Sequence, residues 1–315
     1  MYFLSSDIRV GQYTFKGVVN VEIQSSWEEL TDTCIITIPR KLRFKNKNIA
    51  VGQDPLFKRG DKVEVNLGWN GNNSTRFTGY VRTIKIGTPI TIICEDEAFL
   101  LKQGAKTVSF ENPTLKQLLD AVLPTGTKYH ALGMNLGQFR IKNATPAKVL
   151  DELRRSFGLF SFFINKELYV GFPYPPETPN KVWKFAFQKN IISDNLDYRR
   201  KEDIKVKVKA ISMKPDNSKI EVEVGDSNGD LRTFHHYNLS EKELRKVAEE
   251  DLKRIAYSGW KGDFLTFGQQ PVIHGDIVEL EDDKLDRKGR YLVKKVVVSF
   301  GVDGFRRTIY LDRQE

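Results

Sequence analysis

The chain has 315 residues, 40% of them hydrophobic and 29% charged, which is the balance of a folded protein of about two ordinary domains. With 50 Lys and Arg against 41 Asp and Glu the net charge is +9, which permits contact with an acidic surface but does not bear on fold. No apolar run approaches the roughly 20 residues that cross a bilayer, and the start, Met1-Tyr-Phe-Leu-Ser-Ser-Asp7, is too short and too weakly charged for a signal peptide. The expectation is a chain made and folded in a cytoplasm, with no membrane partner.

The first third reads as short strands at Val18 to Ile23, Cys34 to Ile38, Lys62 to Leu67, Arg76 to Ile86 and Ile90 to Cys94, each rich in β-branched or aromatic residues. Cys34 and Cys94 are the only cysteines. Both fall inside apolar runs and read as buried free thiols, with no ligands nearby for a metal. Between the second and third strands, Arg40, Lys41, Arg43, Lys45 and Lys47 come without accompanying acids. They read as an exposed arm that docks on an acidic neighbour, with non-specific phosphate contact as the alternative.

The middle carries two helices and a hairpin. The first helix opens at Asn112-Pro113-Thr114 with Pro in the first helical position, lines up Leu115, Leu118, Leu119 and Val122, and stops at Pro124. The second opens at Thr145-Pro146, aligns Val149, Leu150, Leu153 and Phe157, and stops at Gly158. Phe160 to Val170 reads as a hairpin around Asn165-Lys166. The proline-rich stretch from Phe172 to Pro179 excludes regular structure and reads as a boundary.

The last third repeats the strand pattern, at Asp203 to Ile211, Lys219 to Val224, Ile277 to Leu280, Tyr291 to Phe300 and Arg306 to Leu311. A third helix begins with the capping box Ser240-x-x-Glu243 and ends near Gly259. Lys205, Lys207 and Lys209 alternate with valines and face a second strand carrying Glu221 and Glu223. Pairing Lys209 with Glu221 and Lys207 with Glu223 around Pro215-Asp216 makes an ion-paired face rather than a nucleic-acid groove.

A weak duplication links the two ends of the chain. Gly60-Asp-Lys-Val-Glu-Val, Phe77-Thr-Gly-Tyr-Val-Arg-Thr-Ile and Ile90-Thr-Ile-Ile-Cys-Glu-Asp96 match Gly275-Asp-Ile-Val-Glu-Leu, Tyr291-Leu-Val-Lys-Lys-Val-Val-Val and Phe305-Arg-Arg-Thr-Ile-Tyr-Leu-Asp312. Chance is the rival explanation, since meanders entered by Gly-Asp are common, but order and spacing agree together. Three strands leave two bare edges. Val18 to Ile38 in one half and Asp203 to Val224 in the other are the expected partners. The fold class is thus mainly β (α+β), with two related antiparallel β-barrel domains and a small α/β domain between them. The expected domains are 1–101, 102–176 and 177–315, the last including a helix at 240–257.

The sequence has few marks of catalysis. Gly-x-Ser-x-Gly, Walker-type and His-Glu-x-x-His motifs do not occur. His235 and His236 are strand neighbours whose side chains point to opposite faces. Glu95, Asp96 and Glu97 leave open a carboxylate-based hydrolase, and Glu281, Asp282, Asp283 and Asp286 leave open calcium, though without ordered EF-hand spacing. No catalytic, cofactor or metal residue is assigned.

Several short motifs are recognisable. Ser26-Trp27 through Thr33-Cys-Ile-Ile-Thr-Ile-Pro39, Phe57-x-x-Gly60-Asp61, Phe77-Thr-Gly79-Tyr80-Val81 and Cys94-Glu-Asp96 resemble the first barrel of phage baseplate hub proteins. Ser258-Gly-Trp-Lys-Gly262-Asp-Phe264-x-Thr-Phe-Gly268, Gly275-Asp276 and Ser299-Phe-Gly-x-x-Gly304-Phe-Arg-Arg307 look like the second. The family includes Mu-like tail proteins, late control D proteins and the hub part of type VI secretion spikes. The resemblance implies a non-enzymatic homotrimer in the virion tail baseplate, assembled in the bacterial cytoplasm. Its six barrels join the tail tube protein to a spike protein, around a lumen that passes DNA without reading its sequence. It also implies no cofactor, and because this sequence departs from fused relatives in having no spike β-helix and no cell-wall hydrolase segment, the expectation is a spike supplied by another gene. A cell-wall hydrolase using Glu95 or Asp96 and a basic nucleic-acid-binding barrel are the rival readings.

Overall fold

The computed structural model describes residues 3–44, 47–50, 56–174 and 180–315. The first third forms β1 (Leu4–Val10), β2 (Tyr13–Phe15), β3 (Asn20–Ser26), β4 (Thr33–Ile38), β5 (Lys41–Phe44), β6 (Lys47–Ala50), β7 (Lys62–Trp69), β8 (Asn72–Lys85) and β9 (Ile90–Glu95). Helix α1 (Ala98–Leu101) leads into β10 (Lys106–Phe110), α2 (Leu115–Val122), β11 (Tyr129–Ala131), β12 (Phe139–Ala144), α3 (Pro146–Phe157), β13 (Phe160–Ile164) and β14 (Glu167–Gly171). The last part forms β15 (Val182–Ala186), β16 (Ile191–Arg199), β17 (Val206–Met213), β18 (Lys219–Gly225) and β19 (Asp230–Tyr237). It closes with α4 (Glu241–Ile255), β20 (Gly259–Phe267), β21 (Ile277–Asp282), β22 (Arg287–Gly301) and β23 (Gly304–Gln314).

The fold is mainly β, and most strand pairs are antiparallel. Thirteen strands from both ends of the chain form one sheet, in the order β16-β20-β23-β22-β3-β4-β9-β8-β7-β1-β2, with β21 on β22 and β15 on β21. Alternation explains the register. Cys34, Ile36 and Ile38 on β4 oppose Cys94, Ile92 and Ile90 on β9, and all six are fully buried in one cluster that also holds Phe264, Phe305 and Ile309. The two thiols are free, buried and directly opposite each other.

The middle segment has its own core. Leu118, Leu119, Val149, Leu150 and Leu153 meet Leu168 and Val170 there. Helix α3 starts at Thr145, whose hydroxyl accepts the Lys148 N–H, and ends where Gly158 takes the left-handed conformation. Helix α2 corrects one expectation. Thr114 is the cap, with a Thr114/Gln117 capping box, so Pro113 lies before the helix rather than in its first position. The β13–β14 hairpin turns at Asn165 and Lys166, both at positive φ.

A second correction concerns the strands expected to complete the C-terminal meander. β17 and β18 form a separate sheet, β18-β17-β19, capped by α4 through Leu244 and Ala248. The partners of β23 and β22 are instead β20 and β3. The reason is periodicity. Val206, Val208 and Ala210 present one apolar face, which α4 covers locally, so this sheet needs no place in the large one. The β17–β18 register also lies two residues from the expected one, with Lys209 opposite Glu223, because the loop centres on Asp216. A shift of two preserves the faces, and the ion pairs Lys207–Glu223 at 2.5 Å and Lys209–Glu221 at 2.7 Å form as diagonals.

Candidate functional site

The two Gly-Asp turns have the same geometry. In the first, Gly60 lies at φ +90°, its N–H donates to Val81 O at 2.8 Å, and the Val81 N–H donates to Asp61 O at 2.9 Å. In the second, Gly275 lies at φ +87°, its N–H donates to Val293 O at 2.8 Å, and the Val293 N–H donates to Asp276 O at 2.9 Å. In each turn the aspartate Oδ2 accepts the backbone N–H three residues upstream, from Lys58 at 2.8 Å and from Ile273 at 3.1 Å. Only a residue free to adopt positive φ suits the first turn position, and both copies have Gly there.

The match continues into the strands. β7 stops pairing with β8 at Lys62–Tyr80, and β21 stops pairing with β22 at Ile277–Leu292, the same position one residue before the shared valine. Each long strand then bulges at an extra residue, Arg82 in β8 and Lys294 in β22, while a further irregularity of β22 against β23 between Tyr291 and Val293 has no counterpart between β8 and β9. Strand order is also shared, β3-β4-β9-β8-β7 against β16-β20-β23-β22-β21. The register makes Glu95, not Asp96, the counterpart of Asp312. In the second copy the β17–α4 unit occupies the place of the short Trp27–Asp32 connection.

The copies are physically joined. Past Leu292, β22 exchanges β21 for β3, pairing Lys295–Gly301 with Ser26–Asn20 of the first copy. Arg76 is the extra residue of a bulge in β8, and its Nη2 reaches Gln269 O at 3.2 Å while its guanidinium lies 5.3 Å from the Phe305 ring centroid. Tyr174 accepts the Trp27 indole N–H and donates to Asp312, both at 2.7 Å. Arg307 is buried, its Nε and Nη1 have no hydrogen-bond partner among the described residues, and burial beside Arg76 pulls its pKa down to about 9. Neither Arg76 nor Tyr174 was singled out in the sequence. Contacts 193 and 138 residues away along the chain leave no local signal.

Of the acidic trio, Asp96 and Glu97 line a cavity and Glu95 does not. Glu95 is 2% exposed and held by Arg82 at 3.0 Å and Lys102 at 2.9 Å. Asp96 Oδ1 accepts the Ala98 N–H at 3.1 Å, and its own N–H donates to Asp32 O at 3.1 Å. A cavity of about 410 Å³ beside it is lined by Asp32, Asp96, Glu97, Arg76, Phe163 and Lys166 among others. Burial pushes Asp32 up to about 7, and burial plus Asp32 pushes Asp96 well above the usual carboxylate range. The two therefore behave as a pair that favours holding a proton. Asp32 is a residue the sequence reading missed.

The remaining expected groups sit apart from this. Arg40 is exposed, Lys41 and Arg43 lie on β5 and Lys47 on β6, and Lys45 is outside the described residues. In the 281–286 loop, Asp283 pairs with Lys189 at 2.8 Å and Asp282 Oδ1 accepts the N–H groups of Lys284 and Leu285, so these acids serve the turn. His236 meets Asp251 at 3.2 Å, while the His235 ring lies against Gly158. The proline stretch is described only to Tyr174 and from Asn180 onward.

No protein-family model matches the sequence, and no characterised protein matches it by sequence. Solved structures do match by shape. The 43 kDa tail protein of prophage MuSo2 from Shewanella oneidensis superimposes with TM-score 0.65 at 17% identity, covering 98% of each chain. A tail protein from Neisseria meningitidis gives 0.66 at 15% identity, over 99% of this chain and 97% of the other. The E. coli c3393 protein gives 0.59 at 10% identity, over all of this chain and 77% of the other. It is described as a type VI secretion component similar to the T4 tail proteins gp27 and gp5. At such identities the likeness is one of fold.

Proposed function

We propose that this chain is a structural subunit of a phage tail or related contractile injection device. In this reading three copies form a pseudo-sixfold hub ring between the tail tube and the central spike. The observation that carries it is the internal repeat: two units with one strand order and one turn geometry, already joined side by side in a single sheet. A chain that supplies two similar units makes six from three copies, which lets a threefold spike meet a sixfold tube. The fold shared over nearly all of this chain with phage tail proteins and with a type VI secretion component supports the same role.

Within this reading the domains are 1–101, 102–176 and 177–315. The repeat strands form the ring wall, and the lumen passes DNA or cargo without sequence recognition. The middle domain and the arm carrying Arg40, Lys41, Arg43, Lys45 and Lys47 reach partners outside the wall. The chain acts by shape, with no cofactor and no reaction, in a tail baseplate assembled in the bacterial cytoplasm.

Light scattering tests the reading directly. The mass of the chain is measured alone and with the product of the adjacent spike gene. Particles holding three copies are expected in at least one condition, and a monomer in both refutes the ring.

A further inference from the structure

We propose that copies of this chain join by strand addition, β16 of one copy pairing antiparallel with Thr83–Gly87 of the next. The inference rests on the ring reading and adds which edges meet and in what register.

The repeat contains one worked example of its own junction. Inside the chain, the second unit offers the end of β22, beyond the point where β21 leaves it, and the first unit fills that edge with β3. The end of β22 and β3 are each thereby consumed. Their counterparts have no such use. The counterpart of the end of β22 is the end of β8, where β7 leaves after Tyr80. The counterpart of β3 is β16, the outermost strand on its side of the sheet, with β20 as its one strand partner among the described residues. One open edge of each kind per chain, at opposite ends of the doubled unit, makes a head-to-tail contact that closes when repeated.

The register follows from the internal junction. There Val296, Val297 and Val298 oppose Ser25, Gln24 and Ile23. The shared turn and bulge equate Val293 with Val81, so those valines correspond to Ile84, Lys85 and Ile86. The same equivalence carried through β9 and β23 equates Ile36 with Phe264, and the pairing of β3 with β4 and of β16 with β20 then equates Ile23 with Leu196. Across the proposed contact Ile84 therefore meets Tyr198, Lys85 meets Asp197, and Ile86 meets Leu196.

The surface chemistry agrees with that register. Ile86 is 64% exposed and Tyr198 37%, among the larger apolar side chains left in solvent. Pairing brings each against an apolar partner and sets a cation directly across from an anion. A shift of one residue would put Lys85 opposite an apolar side chain and turn the apolar sides apart.

Cysteine cross-linking reads the contact. Directly opposed strand residues have Cβ atoms about 4.5–5.5 Å apart, close enough for a disulfide after small adjustment. Ile86→Cys with Leu196→Cys, oxidised by copper phenanthroline in air, is expected to give covalent dimers and trimers on a non-reducing gel. The yield should be at least about tenfold above Lys85→Cys with Leu196→Cys, whose side chains point to opposite faces. The wild-type chain, with both thiols buried, is the blank. A charge swap guards against misfolding: Asp197→Lys is expected to weaken association about tenfold, and adding Lys85→Asp to restore it. Three-copy particles in which the registered pair links no better than the offset pair overturn this contact and leave the ring standing. Monomers alone and with the spike product overturn both.

Discussion

Replacing Asp32 by Asn is expected to stabilise the fold above neutral pH and to change it little in acid. Asp32 sits in the cavity wall beside Asp96, and burial lifts its pKa from an ordinary 3.8 to about 7. Between those values the native state keeps a proton that the unfolded chain has released. Stability therefore falls as pH rises through that window and levels off above about 7. At about 1.4 kcal/mol per pKa unit, the whole interval is worth up to about 4 kcal/mol. Part of it is shared with Asp96, whose own pKa is raised by the Asp32 charge. Asn keeps an oxygen able to accept the Ser26 N–H, which Asp32 Oδ1 receives at 3.2 Å, and removes the charge. Urea unfolding at about pH 4 and about pH 8 measures the effect, with an expected gain near zero in acid and about 2–4 kcal/mol in base. An equal effect at both values, or a loss at the higher one, refutes the protonated pair.

Two further substitutions test the repeat and the buried cation. Gly60→Ala and Gly275→Ala place a Cβ at φ +90° and +87° with nothing within 4 Å, so each cost is backbone strain alone, about 1–2 kcal/mol. Thermal unfolding should show matching losses, and a difference above about 1 kcal/mol would mean the two turns are not equivalent. Arg307→Met replaces a buried guanidinium, two of whose nitrogens have no hydrogen-bond partner among the described residues, with an apolar side chain of similar length. The isolated chain should gain about 1–4 kcal/mol in urea unfolding, and a loss would reveal an anionic partner for Arg307.

Local signals carried a good share of the fold. Capping residues at Thr145 and Ser240 and the left-handed stop at Gly158 placed two helices, and the alternation around Cys34 and Cys94 placed two core strands. These features are legible because each depends on residues a few positions apart. Five strands of the large sheet escaped, β1, β2, β15, β16 and β20, and β1 and β16 show two different reasons. β1 pairs with β7 across more than fifty positions, and β16 is an edge strand whose Ser, Asp, Asn and Arg break the apolar pattern. The Lys207 and Lys209 ion pairs were predictable in kind but not in register, since a two-residue shift leaves every side chain on the same face.

From residue types and spacing alone, the chain read as mainly β and weakly doubled, because a turn needing positive φ followed by alternating strands recurs in the sequence. Tertiary structure decided how the two copies are joined. Which strand fills the far end of β22, which residue of a bulge reaches Gln269, and which carboxyl is buried beside Asp96 all depend on contacts between residues remote in the chain. Such contacts are set by how two units pack, and side-chain pattern along one of them does not encode the position of the other.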